Sequence, residues 1–238
     1  MAEASFYEKY VKRVLDILCA VAAIAVFWWL YLIVALLVLV KLGHPVIFKQ
    51  PRPGKDEKIF YLYKFRSMTD ARDAQGNLLP DEVRLTAFGK ALRSTSLDEL
   101  PEVLNILKGD MSIIGPRPQL VRDMVFMTPE QRRRHTVRPG LSGLAQTRGR
   151  NALPWDEKLA ADLEYLQHIT FLGDVKIIFD TVRQVFLRQK GMEDSTADEV
   201  DITDDLGDYL LKAGRVTKEE YDKKRAEAKG LLRRDNRH

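Results

Sequence analysis

The chain has 238 residues, a formal net charge of +4, a pI near 9.0 and one cysteine. Its length allows one ordinary globular domain with appendages, and a single cysteine excludes an internal disulfide framework, which suits a reducing compartment. The mild positive excess fits an anionic lipid surface, a phosphorylated ligand or nucleic acid, and does not choose among them.

In chain order, residues 5–16 carry a helical pattern, with Phe6, Tyr10, Arg13 and Val14 placed for a membrane interface. From Ile17 to Val40 no side chain is charged. These 24 residues rise about 36 Å as a helix, against roughly 30 Å of bilayer hydrocarbon. The run is too long for a secretory signal and ends in Lys41 rather than at a small-residue cleavage site. Basic residues flank both ends: Lys9, Lys12 and Arg13 before, Lys41, Lys49, Arg52, Lys55 and Lys58 after. Both flanks therefore claim the cytoplasmic side, which favours a re-entrant hairpin over a span. A hairpin needs a break at the middle of the run, where Trp28-Trp29 stands rather than Pro or Gly.

Gly43-His44-Pro45 stops the helix. Val46–Phe48 and Ile59–Tyr63 read as short strands, with Pro51-Arg52-Pro53-Gly54 as the turn between them. Ala71–Pro80 is a polar loop tipped by Gly76-Asn77, and Leu85–Arg93 a short helix. Pro101 opens a helix that ends at Gly109. Pro129–Arg134 begins another short helix. Trp155–His168 and Val175–Leu187 are amphipathic. The second of these, with Lys176, Arg183, Arg188 and Lys190, suits either packing on the core or lying in the membrane plane. From Gly191 to Leu211 there are eight acidic residues and no basic ones. Residues 201–232 then read as a helical hairpin turning at Ala213-Gly214, with a capping box at Thr217–Glu220.

Chemistry concentrates in a few segments. Asp98 and Glu99 stand at the start of the helix opened by Pro101, where positive potential and free N–H groups keep a carboxylate ionised. An ionised Asp can attack phosphorus and form an acyl phosphate. In isolation Ser96-x-x-Glu99 is equally an ordinary capping box. Arg117 lies between Pro116 and Pro118, whose fixed φ stiffens the backbone and lowers the entropy lost when the guanidinium grips phosphate. Gln131 to Trp155 contains no acid but holds Arg132, Arg133, Arg134, Arg138, Arg148 and Arg150 among glycines. That is an anion-binding composition, for a phosphorylated substrate or for lipid headgroups. Gly140-Leu141-Ser142-Gly143 has the form of a GXXG nucleic-acid clamp, without neighbouring aromatics for stacking.

Taken together, several segments in order resemble the bacterial polyprenyl-phosphate hexose-1-phosphate transferases, the monotopic phosphoglycosyl transferases. They are Lys12–Ile17, Phe48-Lys49-Gln50 with Arg52-Pro53-Gly54, Tyr63–Met68, Arg93–Pro101, Asn105–Ser112, Gly115–Pro118, Arg138–Gln146 and Gly149–Asn151. The likeness runs from about residue 9 to 190. It is nearest to the small single-domain members of N-glycosylation pathways that use a UDP-linked diacetamido sugar. One departure is that the family's helix-breaking Ser-Pro pair falls on Trp28-Trp29 here.

The resemblance implies an α+β fold: an N-terminal membrane-embedded, re-entrant helix, then a small helix-rich cytosolic domain with short strands and interfacial amphipathic helices. Residues 1–43 would anchor, 44–190 catalyse at the cytoplasmic face of a bacterial inner membrane, and 191–238 form an acidic linker and helical hairpin. The implied reaction passes sugar-1-phosphate from a UDP-sugar to polyprenyl (undecaprenyl) phosphate through a phosphosugar-aspartyl intermediate, releasing UMP and initiating glycan assembly. Asp98 would be the nucleophile and Glu99 its assistant, both near a required Mg²⁺. Lys64, Arg93 and Arg117 would grip phosphate and Arg150 the nucleotide. Expected partners are the UDP-sugar, polyprenyl phosphate, membrane lipid and, without a sequence signal of its own, a second copy of the chain; nucleic acid is not expected. The alternative is a non-catalytic, membrane-anchored module binding anions or lipid headgroups.

Overall fold

The computed structural model describes residues 5–149, 153–189 and 205–235. The elements, in order, are α1 (Lys12–Leu42), preceded by a π-helical turn at Tyr7–Val11, then β1 (Ile47–Pro53), β2 (Ile59–Phe65), α2 (Asp81–Arg84), α3 (Ala87–Ser94) and α4 (Glu102–Lys108). There follow β3 (Ser112–Ile114), α5 (Val121–Met124), α6 (Pro129–Arg132), β4 (Gly140–Ser142), α7 (Leu144–Arg148), α8 (Trp155–Gln167), α9 (Phe171–Gln189), α10 (Leu206–Lys212) and α11 (Lys218–Asp235). The result is a helix-rich α+β chain with two small sheets, β1–β2 and β3–β4.

Tyr7–Leu42 is long and apolar enough to cross a membrane, and among the described residues it is the one helix that is. Most of its large side chains, Leu18, Val21, Val26, Phe27 and Trp28 among them, are exposed to the surroundings. That much unpartnered apolar surface needs lipid to cover it, so the chain is membrane-associated. α1 runs through Trp28-Trp29 without a break. The physical reason is the missing proline: each N–H keeps its carbonyl four residues back, and the ladder continues.

The chain divides into two compact units. The first comprises Met1–Asp16, Pro51–Phe60 and Gly109–His238; the second comprises Ile17–Gln50 and Tyr61–Lys108.

In the second unit, the last half of α1 is a wall of the core. Val34, Val38 and Leu42 bury against Phe65 and Leu92, with Leu97 and Leu100 packed alongside. This is the face left by the helical period, one residue every three or four, while Leu36, Leu37 and Val40 stay exposed.

In the first unit, β3 and β4 pair in parallel, Ser112 beside Gly140 and Ile114 beside Ser142. A Cβ on Gly140 would lie 2.1 Å from the Gly115 nitrogen, so only glycine permits this approach. The Gly140–Gly143 segment is therefore strand β4 and the residue that follows it. Residues 5–16 are tied to this unit. Lys12 pairs with Asp174 at 2.5 Å, and the buried Asp16 accepts from the Ser112 hydroxyl and the Ile113 N–H. Ser5 donates to the Ile169 carbonyl.

The predicted helical hairpin is present as α10 and α11, turning at Gly214 with φ +66°. Leu206, Leu210 and Ala228 join Val121, Met124, Phe126, Trp155 and Leu159 in one core. Asp123 joins the two segments: its carboxylate accepts from the N–H of Leu120, capping α5, and from the N–H of Leu206. The acidic stretch 191–204 lies outside the described residues. The expected turn at Pro51–Gly54 also moves. β1 continues through Pro53, and the reversal falls on Gly54–Lys58, with Asp56 and Glu57 at positive φ. In a two-stranded sheet every strand is an edge, where a missing N–H is tolerated.

Candidate active site

The second unit gathers Lys64, Asp98 and Glu99. Lys64 stands on β2, and its Nζ lies 2.8 Å from a Glu99 carboxylate oxygen and 4.0 Å from one of Asp98. A third carboxylate shares the same ammonium: Glu102, one helical turn beyond Asp98 and 2% exposed, is 3.3 Å away. Three acids thus converge on this ammonium in a poorly solvated place, an arrangement common at functional sites.

Local backbone geometry sets up this cluster. α3 ends at Ser94, and Ser96 takes the left-handed conformation, φ +57°, which costs a non-glycine residue about 1 kcal/mol. The chain then makes a single 3₁₀ turn, Leu97–Glu99, before α4 starts at Glu102 after Pro101. Asp98 and Glu99 thus precede the helix on a turn of their own rather than opening it. The expected capping box is absent, because Ser96 makes no side-chain cap. The ordinary structural explanation for Ser96 and Glu99 is thereby removed.

Asn105, fully buried on α4, fixes β2 beside this turn. Its side-chain oxygen accepts from Tyr63 N–H at 3.0 Å, and its NH₂ donates to the Tyr61 carbonyl at 2.8 Å. An amide imitating a strand neighbour sets the register of β2, and so the height of Lys64. Arg93, on α3 in the same unit, donates from Nε to the Ser67 hydroxyl at 2.9 Å. Glu102 and Asn105 escaped the sequence reading. The spacing from Asp98 to Glu102 was a usable signal; Asn105 gave none.

In the first unit, Arg117 sits in a loop held at several points. Arg134 donates to its carbonyl at 2.7 Å, and Arg52 donates to that of Pro118 at 3.0 Å. Arg150 lies outside the described residues. The acid-free arginine stretch is far from lacking counter-charge. Arg132 meets Glu57, Arg133 meets Glu130, Arg134 meets Asp162 and Arg148 meets Glu164. Arg138 donates to the Gly109 carbonyl. Acids from elsewhere in the chain engage most of the patch, so composition overstated its anion-binding capacity.

Mg²⁺ takes oxygen ligands and is commonly held by one or two carboxylates together with substrate phosphates. Asp98 and Glu99 meet that need in chemical type. Among the described residues, no group of three or more His, Cys, Asp or Glu forms a self-sufficient metal cage.

Comparison with known proteins bears on the same segments. Residues 7–188 match the family described as bacterial sugar transferase. The chain is 48% identical over 178 residues to the uncharacterized sugar transferase EpsL of Bacillus subtilis (strain 168), covering 75% of this chain and 88% of that one. It is 37% identical over 182 residues to the UDP-glucose:undecaprenyl-phosphate glucose-1-phosphate transferase of Caulobacter vibrioides (strain ATCC 19089 / CIP 103742 / CB 15), covering 72% and 68% respectively. It is 40% identical over 184 residues to the UDP-N-acetylgalactosamine-undecaprenyl-phosphate N-acetylgalactosaminephosphotransferase of Aeromonas hydrophila, of which it spans 44%. The matched stretch contains α1, both sheets and the Lys64–Asp98–Glu99–Glu102 cluster, and the chain belongs to the bacterial sugar transferase family.

Proposed function

We propose that the chain is a phosphoglycosyl transferase that moves sugar-1-phosphate from a UDP-sugar to undecaprenyl phosphate and so starts a membrane-bound glycan. The observation that carries this reading is the Asp98-Glu99 turn facing Lys64, within a family whose relatives are named for that transfer.

In the first step an Asp98 oxygen attacks the sugar-bearing phosphorus. The P–O bond to the uridine-bearing phosphate breaks, and UMP leaves with the electron pair. In the second step an oxygen of the polyprenyl phosphate attacks the same phosphorus. The acyl-phosphate bond breaks, the Asp98 carboxylate is restored, and a diphosphate-linked sugar is released. No proton transfer is needed for either displacement. The Lys64 ammonium beside the pair can turn toward the donor diphosphate as negative charge builds there. Arg93 and Arg117 are assigned to phosphate groups and Arg150 to the nucleotide. Asp98 and Glu99 would hold Mg²⁺, which when bound would neutralise the diphosphate.

We place the reaction at the cytoplasmic face of the inner membrane, with residues 1–43 as anchor and both ends of α1 on that side, the unbroken helix dipping into one leaflet rather than turning back at a break. Support comes from the residues before the apolar run. Lys12 and Asp16 bond to Asp174, Ser112 and Ile113, all from the chain after it. A span would put those partners on opposite sides of the bilayer. α9 supports a location in the interface, since Phe171, Leu172, Val175, Phe179 and Val182 are exposed beside Lys176 and Arg183.

The deciding experiment incubates the detergent-solubilised protein with undecaprenyl phosphate, Mg²⁺ and a panel of UDP-sugars, and measures UMP. Turnover that disappears in Asp98→Asn, with a donor-derived adduct trapped on Asp98 of the wild type, is the expected result. No UMP with any donor, or an adduct on another residue, would sink the proposal. For topology, Ala4→Cys and Pro45→Cys in a Cys19→Ser background are treated with an impermeant thiol reagent on intact cells; labelling of the first alone excludes entry and exit on one side.

A further inference from the structure

The apolar run contains few polar side-chain groups, and a polar group in hydrocarbon is costly unless it is bonded. Trp29 meets this need inside its own helix, its indole N–H donating to the Val26 carbonyl at 3.1 Å. Tyr31 does not. Its hydroxyl donates to the backbone carbonyl of Leu100 at 2.9 Å, 69 positions away.

Leu100 directly follows the Asp98-Glu99 pair. Its N–H closes the 3₁₀ turn on the Leu97 carbonyl at 3.3 Å. Its own carbonyl lies at the junction with Pro101, where regular helical bonding has not begun. It accepts from Val103 N–H at 3.3 Å, long for such a bond, whereas the bond from Tyr31 has ordinary length. The Tyr31 ring also meets Phe65, centroids 6.5 Å apart and tilted by 57°. Phe65 directly follows Lys64. One side chain on α1 therefore touches both sides of the cluster: the backbone of the turn that carries the carboxylates and, through the Phe65 ring, the strand that carries the ammonium.

We propose that Tyr31 is a positioning residue for the transfer reaction, its hydroxyl fixing the Asp98-Glu99 turn against Lys64 from within the membrane helix. The inference rests on the reading of Asp98 as nucleophile. It gives α1 a second task beside anchoring, because the same helix face that buries Val34 and Val38 sets the height of the reacting carboxylate.

The test uses the full-length protein in detergent, with the UDP-sugar that the wild type turns over. Tyr31→Phe removes only the hydroxyl. Misplacement of a reacting group by a fraction of an ångström lowers the rate rather than the affinity, so kcat is expected to fall about tenfold while KM for both substrates stays within about twofold. The melting temperature stays near that of the wild type, and amide exchange rises locally at residues 99–103. Trp29→Phe, which removes a polar group bonded within its own helix, leaves kcat unchanged. Wild-type kcat in Tyr31→Phe overturns the inference. So does an equal loss in Trp29→Phe, or a loss that only follows a lowered melting temperature. A wild type that releases no UMP with any donor overturns the reading beneath it, and the inference with it.

Discussion

Two regions of this protein concentrate charge, and they treat it in opposite ways. In the first unit, arginines find carboxylates one by one. Arg134 and Asp162, both almost fully buried, meet through Nε at 2.9 Å and Nη2 at 2.6 Å, and Arg132 meets Glu57 through two nitrogens. In the second unit, Asp98, Glu99 and Glu102 converge on the ammonium of Lys64. One-to-one buried pairs are part of the scaffold. Several acids drawn to one ammonium in a poorly solvated place are a feature of candidate reactive sites. The contrast indicates where chemistry is to be sought in a protein rich in both signs.

The comparison predicts different failures in the two places. The largest effect belongs to Asp98→Asn. It should lower turnover by at least about a thousandfold, as expected when a covalent nucleophile is lost. If the cluster serves chemistry rather than the fold, its melting temperature should stay close to that of the wild type. A melting temperature well below wild type would show that the cluster serves the fold, and the contrast would collapse.

Next comes Arg134→Met, which leaves Asp162 buried without its partner. The expected loss is about 3–5 kcal/mol in denaturant unfolding. Replacing both, Arg134→Met with Asp162→Leu, should recover most of that loss, since two apolar groups need no partner. A double variant as unstable as the single one would mean that the Arg134 bond to the Arg117 carbonyl, rather than the ion pair, carries the stability.

The effect that shows only as the pH falls concerns His135, which borders the balanced region. It is buried, and neither ring nitrogen has a hydrogen-bond partner, although Glu57 lies 3.6 Å away. Burial first, then the neighbouring Arg134 and Arg132, press its pKa down to about 3 from 6.5. The unfolded chain therefore binds a proton that the folded chain refuses. Stability should be fully present above pH 6.5 and fall as the pH drops toward 3, at a limiting slope of about 1.4 kcal/mol per unit. Melting curves between pH 4 and 7 should lose this component in His135→Phe. An unchanged profile would mean that Glu57 compensates the imidazolium.

The legibility of the sequence follows from the distance over which each feature is decided. The apolar run, the Gly43 stop, the α4 boundaries at Pro101 and Gly109, and the turn at Gly214 rest on neighbouring residues, and all are where local rules put them. Asp98, Glu99 and Lys64 were recognised as a set through their motifs. The turn between β1 and β2 was misplaced, because an edge strand accepts proline that a central strand would reject. The capping box that Ser96-x-x-Glu99 allows does not form, because Ser96 takes the left-handed conformation and the chain makes a separate turn before α4.

Local order along the chain determined that this protein carries a helix long and apolar enough for a membrane, that its elements start and stop where they do, and which family it joins. Folding alone decided which charges are spoken for. Arg132 and Glu57 are 75 positions apart, Lys64 and Glu99 are 35, and Tyr31 and Leu100 are 69. Coulomb energy and hydrogen bonding depend on separation in space, and no pattern of neighbours along the chain encodes it.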